Sequence, residues 1–340
     1  MSPAALRTKL GFNRGGITVF RSGLFDALAM MRLIKVILVL LLVAGLPAAV
    51  WGAQEAVLSE AHTDPVAHVE DHKAEHVLPA HAVELWRPFG FPITNSMLVT
   101  WIVAVGLIVF AQIATRRMQD VPSGLQNFWE WLVEGLYSFL EGIIGQDLVK
   151  KTFWFFATIF IFILFANWVG LIPGVGTIGY KGPDGHIAAP WFRGANADLN
   201  MTLAMAMVFF LCWTIWALQS NGPIGFLKHL FAPKGETTGL LKLLMIVVFL
   251  AVGVLEVISI LFRPVSLSFR LYGNIFAGEN MLEAMARLVP GWLGSILIPI
   301  PFYFMELLVG LVQALVFMLL TAVFTMLICQ HDEEHAGAHH

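Results

Sequence analysis

The chain has 340 residues, 58% of them hydrophobic and only 13% charged, with a mean hydropathy of +0.78. Soluble domains carry about twice that charged fraction, so the composition excludes a water-soluble globular fold and indicates an all-α polytopic membrane protein. The net charge of −3 offers no basic footprint for nucleic acid. The two cysteines, Cys212 and Cys329, lie in separate apolar runs and read as packing residues, not as a disulfide or a metal site.

Residues 1–52 read as a leader. Arg7, Lys9, Arg14 and Arg21 face a single acid, Asp26, which fits a transit-like segment or an upstream extension before a start at Met30 or Met31. Arg32 and Lys35 then precede an apolar core at 36–50, followed by Gly52 and Ala53. A basic flank, a short apolar run and small residues describe a secretory signal peptide; a retained short anchor is the alternative. Residues 53–90 are polar and carry His62, His68, His72, His76 and His81. The spacing of His68, His72 and His76 would align them on a helix for metal, but a solvated extracytoplasmic tail is the expectation. No metal site and no cofactor are implied.

Residues 91–332 form the membrane domain. The first span, 97–115, has the ~20 residues a bilayer requires. Arg116 and Arg117 follow it and place that end in the cytoplasm by the positive-inside rule, with the N-terminus outside. Leu125–Ile144 differs: Asn127, Glu130, Glu134, Ser138 and Glu141 form one polar face, and Phe128, Trp129, Leu132, Leu136, Phe139 and Leu140 fill the rest. This predicts an amphipathic helix in the cytoplasmic interface. Its acidic face is ill suited to anionic lipid and raises contact with another subunit as the alternative.

Lys150 and Lys151 mark the cytoplasmic edge again before a second span at 153–172, ended by Pro173 and Gly174. A Gly- and Pro-rich linker, 174–197, lies outside. Residues 200–218 make the third span, with Asp198 and Asn200 at its outer mouth; Asp198 also reads as a helix N-cap. Residues 221–235, with Lys228 and Lys234, return to the cytoplasm. The stretch 240–288 would measure ~73 Å as one helix, against a hydrocarbon core of ~30 Å. It is either two spans turning near Arg263 and Pro264 or one strongly tilted helix. Pro290, Gly291, Pro299 and Pro301 form the turn to a last helix, 302–329, where Glu306 and Gln313 are seven apart and share a face. Five membrane helices then leave the tail, 333–340, in the cytoplasm.

Within 255–281 the apolar sequence carries Glu256, Arg263, Arg270, Asn274 and Glu279. An ionised group in a bilayer costs from ~3 to more than ~10 kcal/mol and marks a transport pathway by default. Ser266, Arg270 and Asn274 are four apart and share one stripe; Glu256 falls near it, and Glu279 lies half a turn away. The competing reading is an arginine that snorkels to a headgroup.

The blocks RPVSLSFRLYGNIFAGE and ELLVGLVQALVFMLLTAVF, with ANADLNMTLA and LFANWVGLIPG, closely resemble subunit a of the F-type ATP synthase membrane sector over about residues 90–332. The resemblance implies that Arg270 faces a ring of c subunits and that Gln313 faces this arginine from the last helix. It implies that Asn274, Glu279 and Glu306 line an outer half-channel, with Asp198, Asn200 and Asn167 towards its mouth, and that Glu256 and Ser266 line the cytoplasmic one. The implied partners are the c-subunit ring, the b subunits of the peripheral stalk, the rest of the complex and the lipid bilayer.

The membrane implied is a bacterial inner membrane, with an organelle's energy-coupling membrane as the alternative. No chemical catalysis is expected: the sequence has no GxxxxGK[ST] phosphate loop, so ATP falls to a partner. Many relatives pair an acid with a histidine where this chain has Glu279 and Glu306. Here two carboxyls are expected to approach each other and to titrate as a coupled unit. A stand-alone secondary transporter or a respiratory-complex membrane subunit is the rival class. The first should show an internal repeat, which is not seen, and the second histidines in the spans, where none lie.

Overall fold

In the computed structural model, the residues described are 82–86, 93–116, 119, 121–172, 178–181, 187–231, 240–288 and 296–329. The leader 1–52, the five tail histidines, the turn residues Pro290 and Gly291, and the C-terminal tail lie outside them.

Two short antiparallel pairs sit at one end: β1 (Glu84–Trp86) with β2 (Ile93–Thr94), and β3 (Gly179–Lys181) with β4 (Ile187–Pro190). The rest is helical: α1 (Asn95–Thr115), α2 (Leu125–Ile144), α3 (Gln146–Gly170), α4 (Leu199–Phe231), α5 (Leu240–Leu288) and α6 (Pro299–Cys329), with a 3-10 turn at Ala195–Ala197 before α4. Five of the described helices, all but α2, are long and apolar enough to cross a membrane. With no water to bond a bare backbone, such spans satisfy their peptide groups internally.

Each boundary has a local cause. Thr94 caps α1 by accepting from the Met97 N–H at 3.4 Å. Only Gly145 separates α2 from α3; its φ of 81° is a conformation that side chains with a Cβ resist. Lys150 and Lys151 therefore lie inside the first turns of α3, not at its edge. The third span runs a few residues past 218, to Gly222, where non-helical backbone, φ 68°, breaks α4 and a short second helix follows from Pro223 to Phe231. Pro299 and Pro301 belong to the first turn of α6, where a proline lacks no needed N–H.

The stretch 240–288 is one unbroken 49-residue helix with Pro264 inside it, which removes the two-span alternative. α3 is the hub. Of its most apolar stretch 56% is buried, against 17% for α5, so α3 is surrounded and α5 flanks the bundle. The hub is aromatic: Phe155 meets Trp216 of α4 edge-to-face at 5.7 Å, and Tyr137 of α2 meets Phe153 at 5.1 Å. Helix α6 packs chiefly on α3, α5 chiefly on α4, and α5 and α6 touch each other. On α2 the face turned to α3 is Trp129, Val133, Leu136, Leu140 and Ile144, whereas Phe128, Trp131 and Phe139 form a separate exposed aromatic face beside the acids.

Candidate functional site

Helix α5 divides into three zones. In the middle, Arg270 is exposed, as are Ser266 and the neighbouring Phe262, Val265 and Phe269. Arg270 makes no ion pair and no hydrogen bond among the described residues. Asn274, one turn on, is half-buried, and Gln313 of α6 is half-buried without a hydrogen bond to Arg270.

On the N-terminal side, Arg263 is committed within the chain. Its guanidinium bonds Glu256 at 3.2 Å and lies over the Phe324 ring at 4.4 Å, with the Trp213 ring at 5.8 Å. One side chain thus ties α5 to α4 and α6 while holding the exposed Glu256 carboxylate. Arg263 carries no role in the sequence reading, although its seven-residue interval from Glu256 puts both on one face of a helix.

On the C-terminal side, Glu279 turns inward, as its half-turn offset from Arg270 requires. It meets Arg193, whose Nε is 3.8 Å from the carboxylate; the two side chains are only 5% and 13% exposed. The Gly194 N–H also donates to Glu279. Glu306 of α6, 2% exposed, occupies the space over Gly278, where any Cβ would overlap its carboxyl. Gly194 is constrained in the same way, since a Cβ there would overlap the Glu279 carboxyl. The two acids therefore share one pocket, but Glu279 Oε2 and Glu306 Oε1 have no hydrogen-bond partner among the described residues. Beside the two carboxyls that the sequence was expected to bring near each other, the fold adds an arginine, Arg193, against Glu279.

The pocket rests on a polar scaffold. Asn167 of α3 donates to the Gly310 carbonyl at 2.9 Å and accepts from Asn196 at 2.6 Å, and Trp168 donates to the Leu307 carbonyl at 3.1 Å. These bonds fix the turn of α6 that carries Glu306. Asp198, 4% exposed, accepts from Ser96 Oγ at 2.6 Å and from the Asn200 N–H at 3.0 Å. It is the N-terminal cap of α4 and a tie to α1, with Asn200 half-buried next to it. Nothing in the pattern of the 174–197 linker marks Arg193, one of its two bases with Lys181, beyond its place two residues before the ANADLN block; only the folded chain shows what it faces.

A bundle of apolar helices with ionisable side chains sequestered between them, and one more left open on the outer face of its longest helix, defines an all-α polytopic membrane protein with a polar path. The family model for the ATP synthase A chain matches residues 97–326. An ATP synthase subunit a of Gloeobacter violaceus is 36% identical over 242 residues, 71% of this chain and 86% of the relative. Those of Helicobacter hepaticus and Citrifermentans bemidjiense are 34% and 33% identical, covering 69% and 74% of this chain and 90% and 94% of their own lengths. The chain belongs to the ATP synthase A chain family.

Proposed function

We propose that this chain is the proton-translocating stator subunit of an F-type ATP synthase, working against a ring of c subunits and held by the b subunits of a peripheral stalk. The observation that carries this reading is the position of Arg270. Among the described residues it is exposed and without an ion pair, on the least buried of the five spans, between two groups of ionisable residues that lie on opposite sides of it along that helix. At 1.5 Å per residue Glu279 is about 13 Å from it along the axis, and Glu256 about 21 Å the other way. Two polar regions that do not meet, separated by a bare cation, support two offset half-channels.

In this mechanism a proton enters from outside near Asp198 and Asn200, where Asn167 holds the wall. It passes Glu279, Glu306 and Asn274 and neutralises a ring carboxylate, which can then face lipid. When that carboxyl returns to Arg270, the positive charge favours its ionised form and expels the proton. The proton leaves past Ser266 and Glu256 into the cytoplasm, while Gln313 backs Arg270 from α6. The drive is ~2.3 kcal/mol per proton per 100 mV. Arg270 also blocks a direct leak between the two regions. ATP chemistry belongs to other subunits, and the membrane is a bacterial inner membrane with the C-terminus in the cytoplasm. The test is ATP-driven proton pumping by membrane vesicles carrying Arg270→Ala in an assembled complex; pumping at the wild-type rate overturns the reading.

A further inference from the structure

The buried arginine of the outer pocket has no part in the pathway above. Arg193 lies in the segment before α4, is 6% exposed, and points its guanidinium at Glu279 and, at 5.7 Å, at the Phe276 ring of the same helix. A cation taken out of water needs an anion, and breaking such a pair from one side leaves an uncompensated buried charge. Among the described residues, the charged groups that act on Glu279 come from three elements. Arg193 comes from the preceding segment, Glu306 from α6, and Glu283 from α5 itself. Glu283 pairs with Arg287 on its own helix. Tyr272, one side of the pocket, feels Arg193, Asp198 and Glu279 together. Asp198 is taken up by Ser96 and the start of α4. The two carboxyls of the pocket each have one oxygen unbonded among the described residues, but they are not equivalent: Glu279 has the arginine and the Gly194 N–H, and Glu306 sits over Gly278.

We propose that Arg193 is a positioning residue of the outer path, which holds the Glu279 carboxyl against the 193–194 backbone and leaves Glu306 as the carboxyl that takes up and passes on the proton. The inference rests on the proton-path reading of this pocket.

The experiment uses the whole complex reconstituted in liposomes, with ATP synthesis driven by an imposed gradient and the outer-side pH varied. Ring co-purification measures assembly. Arg193→Gln is expected to lower the rate per assembled complex by about tenfold and to move the outer-side pH profile upward. Arg193→Lys, which keeps the charge, should retain most of the rate and the original profile. The Arg193→Gln, Glu279→Gln double variant should be faster than Arg193→Gln alone, because no unpaired charge is left buried. A wild-type rate and profile in Arg193→Gln overturns the proposal. So does a double variant no faster than Arg193→Gln, or a lysine variant as impaired as the glutamine one. If Arg270→Ala still pumps, the proton-path reading itself falls; if Arg270→Ala is dead and Arg193→Gln is normal, only this inference falls.

Discussion

Arg263 and Arg270 occupy the same helix, two turns apart, and are treated in opposite ways. Arg263 is wrapped by Phe324 and Trp213 and bonded to Glu256, so its donors and its charge are used within the chain. Arg270 faces outward among apolar side chains with none of these. A guanidinium satisfied at home braces three helices. One left open is available to the carboxylate that the proposed function brings to it. Position in the apolar sequence does not separate the two; the neighbours on α4 and α6 do.

The comparison is sharpest when each arginine is removed. Arg270→Ala is expected to abolish ATP-driven proton pumping while the complex remains assembled, and Arg270→Lys to fail or nearly fail, because lysine lacks the planar fork and loses its charge more readily when desolvated. Glu306→Gln comes next. It removes a buried carboxyl from the outer pocket and should slow proton uptake from the outer side by about tenfold or more, as loss of a proton-transfer group does. Synthesis at the wild-type rate in this variant would remove Glu306 from the path.

Gly278→Ala moves the same carboxyl without deleting it, since the added methyl takes the space that Glu306 occupies. A flexible carboxyl can give way, so the helix should stay folded while the synthesis rate falls by roughly threefold to tenfold, as misplacement of a reacting group does. Arg263→Ala should act on stability instead. Losing the two ring contacts should cost about 1 kcal/mol in a thermal or denaturant assay, with little from the half-exposed Glu256 pair.

The smallest effect concerns the amphipathic helix α2. Partial burial, and then the neighbouring Glu130 carboxylate, hold the Glu134 carboxyl above the usual glutamate range. Its ionisation therefore opposes folding: the penalty is absent below the unfolded pKa and appears as pH rises through the folded one. Glu134→Gln should raise stability by about a few tenths of a kcal/mol at neutral pH, screened because the group is exposed, and by nothing below about pH 4. A stability gain that persists in acid would show another cause.

Much of the architecture was readable because a membrane leaves few choices. Length and apolarity located all five spans, and the 240–288 segment coincides with α5 residue for residue. The polar–apolar alternation of 125–144 marked α2, though not its second exposed face, because Phe128 and Trp131 look the same in sequence whether they are covered or bare. The helical phase of Arg270 and Glu279 told that they face different ways. What could not be read was long-range: Arg193 reaches Glu279 across 86 positions, and Trp213 reaches Arg263 across 50. No local period encodes such meetings. The glycines at 194 and 278 were equally silent, since the need for a missing side chain is visible only when its neighbour is in place.

The unbroken α5 has a geometric consequence. Its apolar span, Val248–Leu288, has 41 residues. That is about 62 Å of rod against a membrane about 45 Å thick with its headgroups, so a rod held wholly within it leans at least about 40° from the normal. Between Glu256 and Glu279 lie about 35 Å of helix, of which more than about 20 Å is then sideways travel. In the proposed mechanism α5 is then a ramp: the place where a proton boards and the place where it alights differ in azimuth as well as in height.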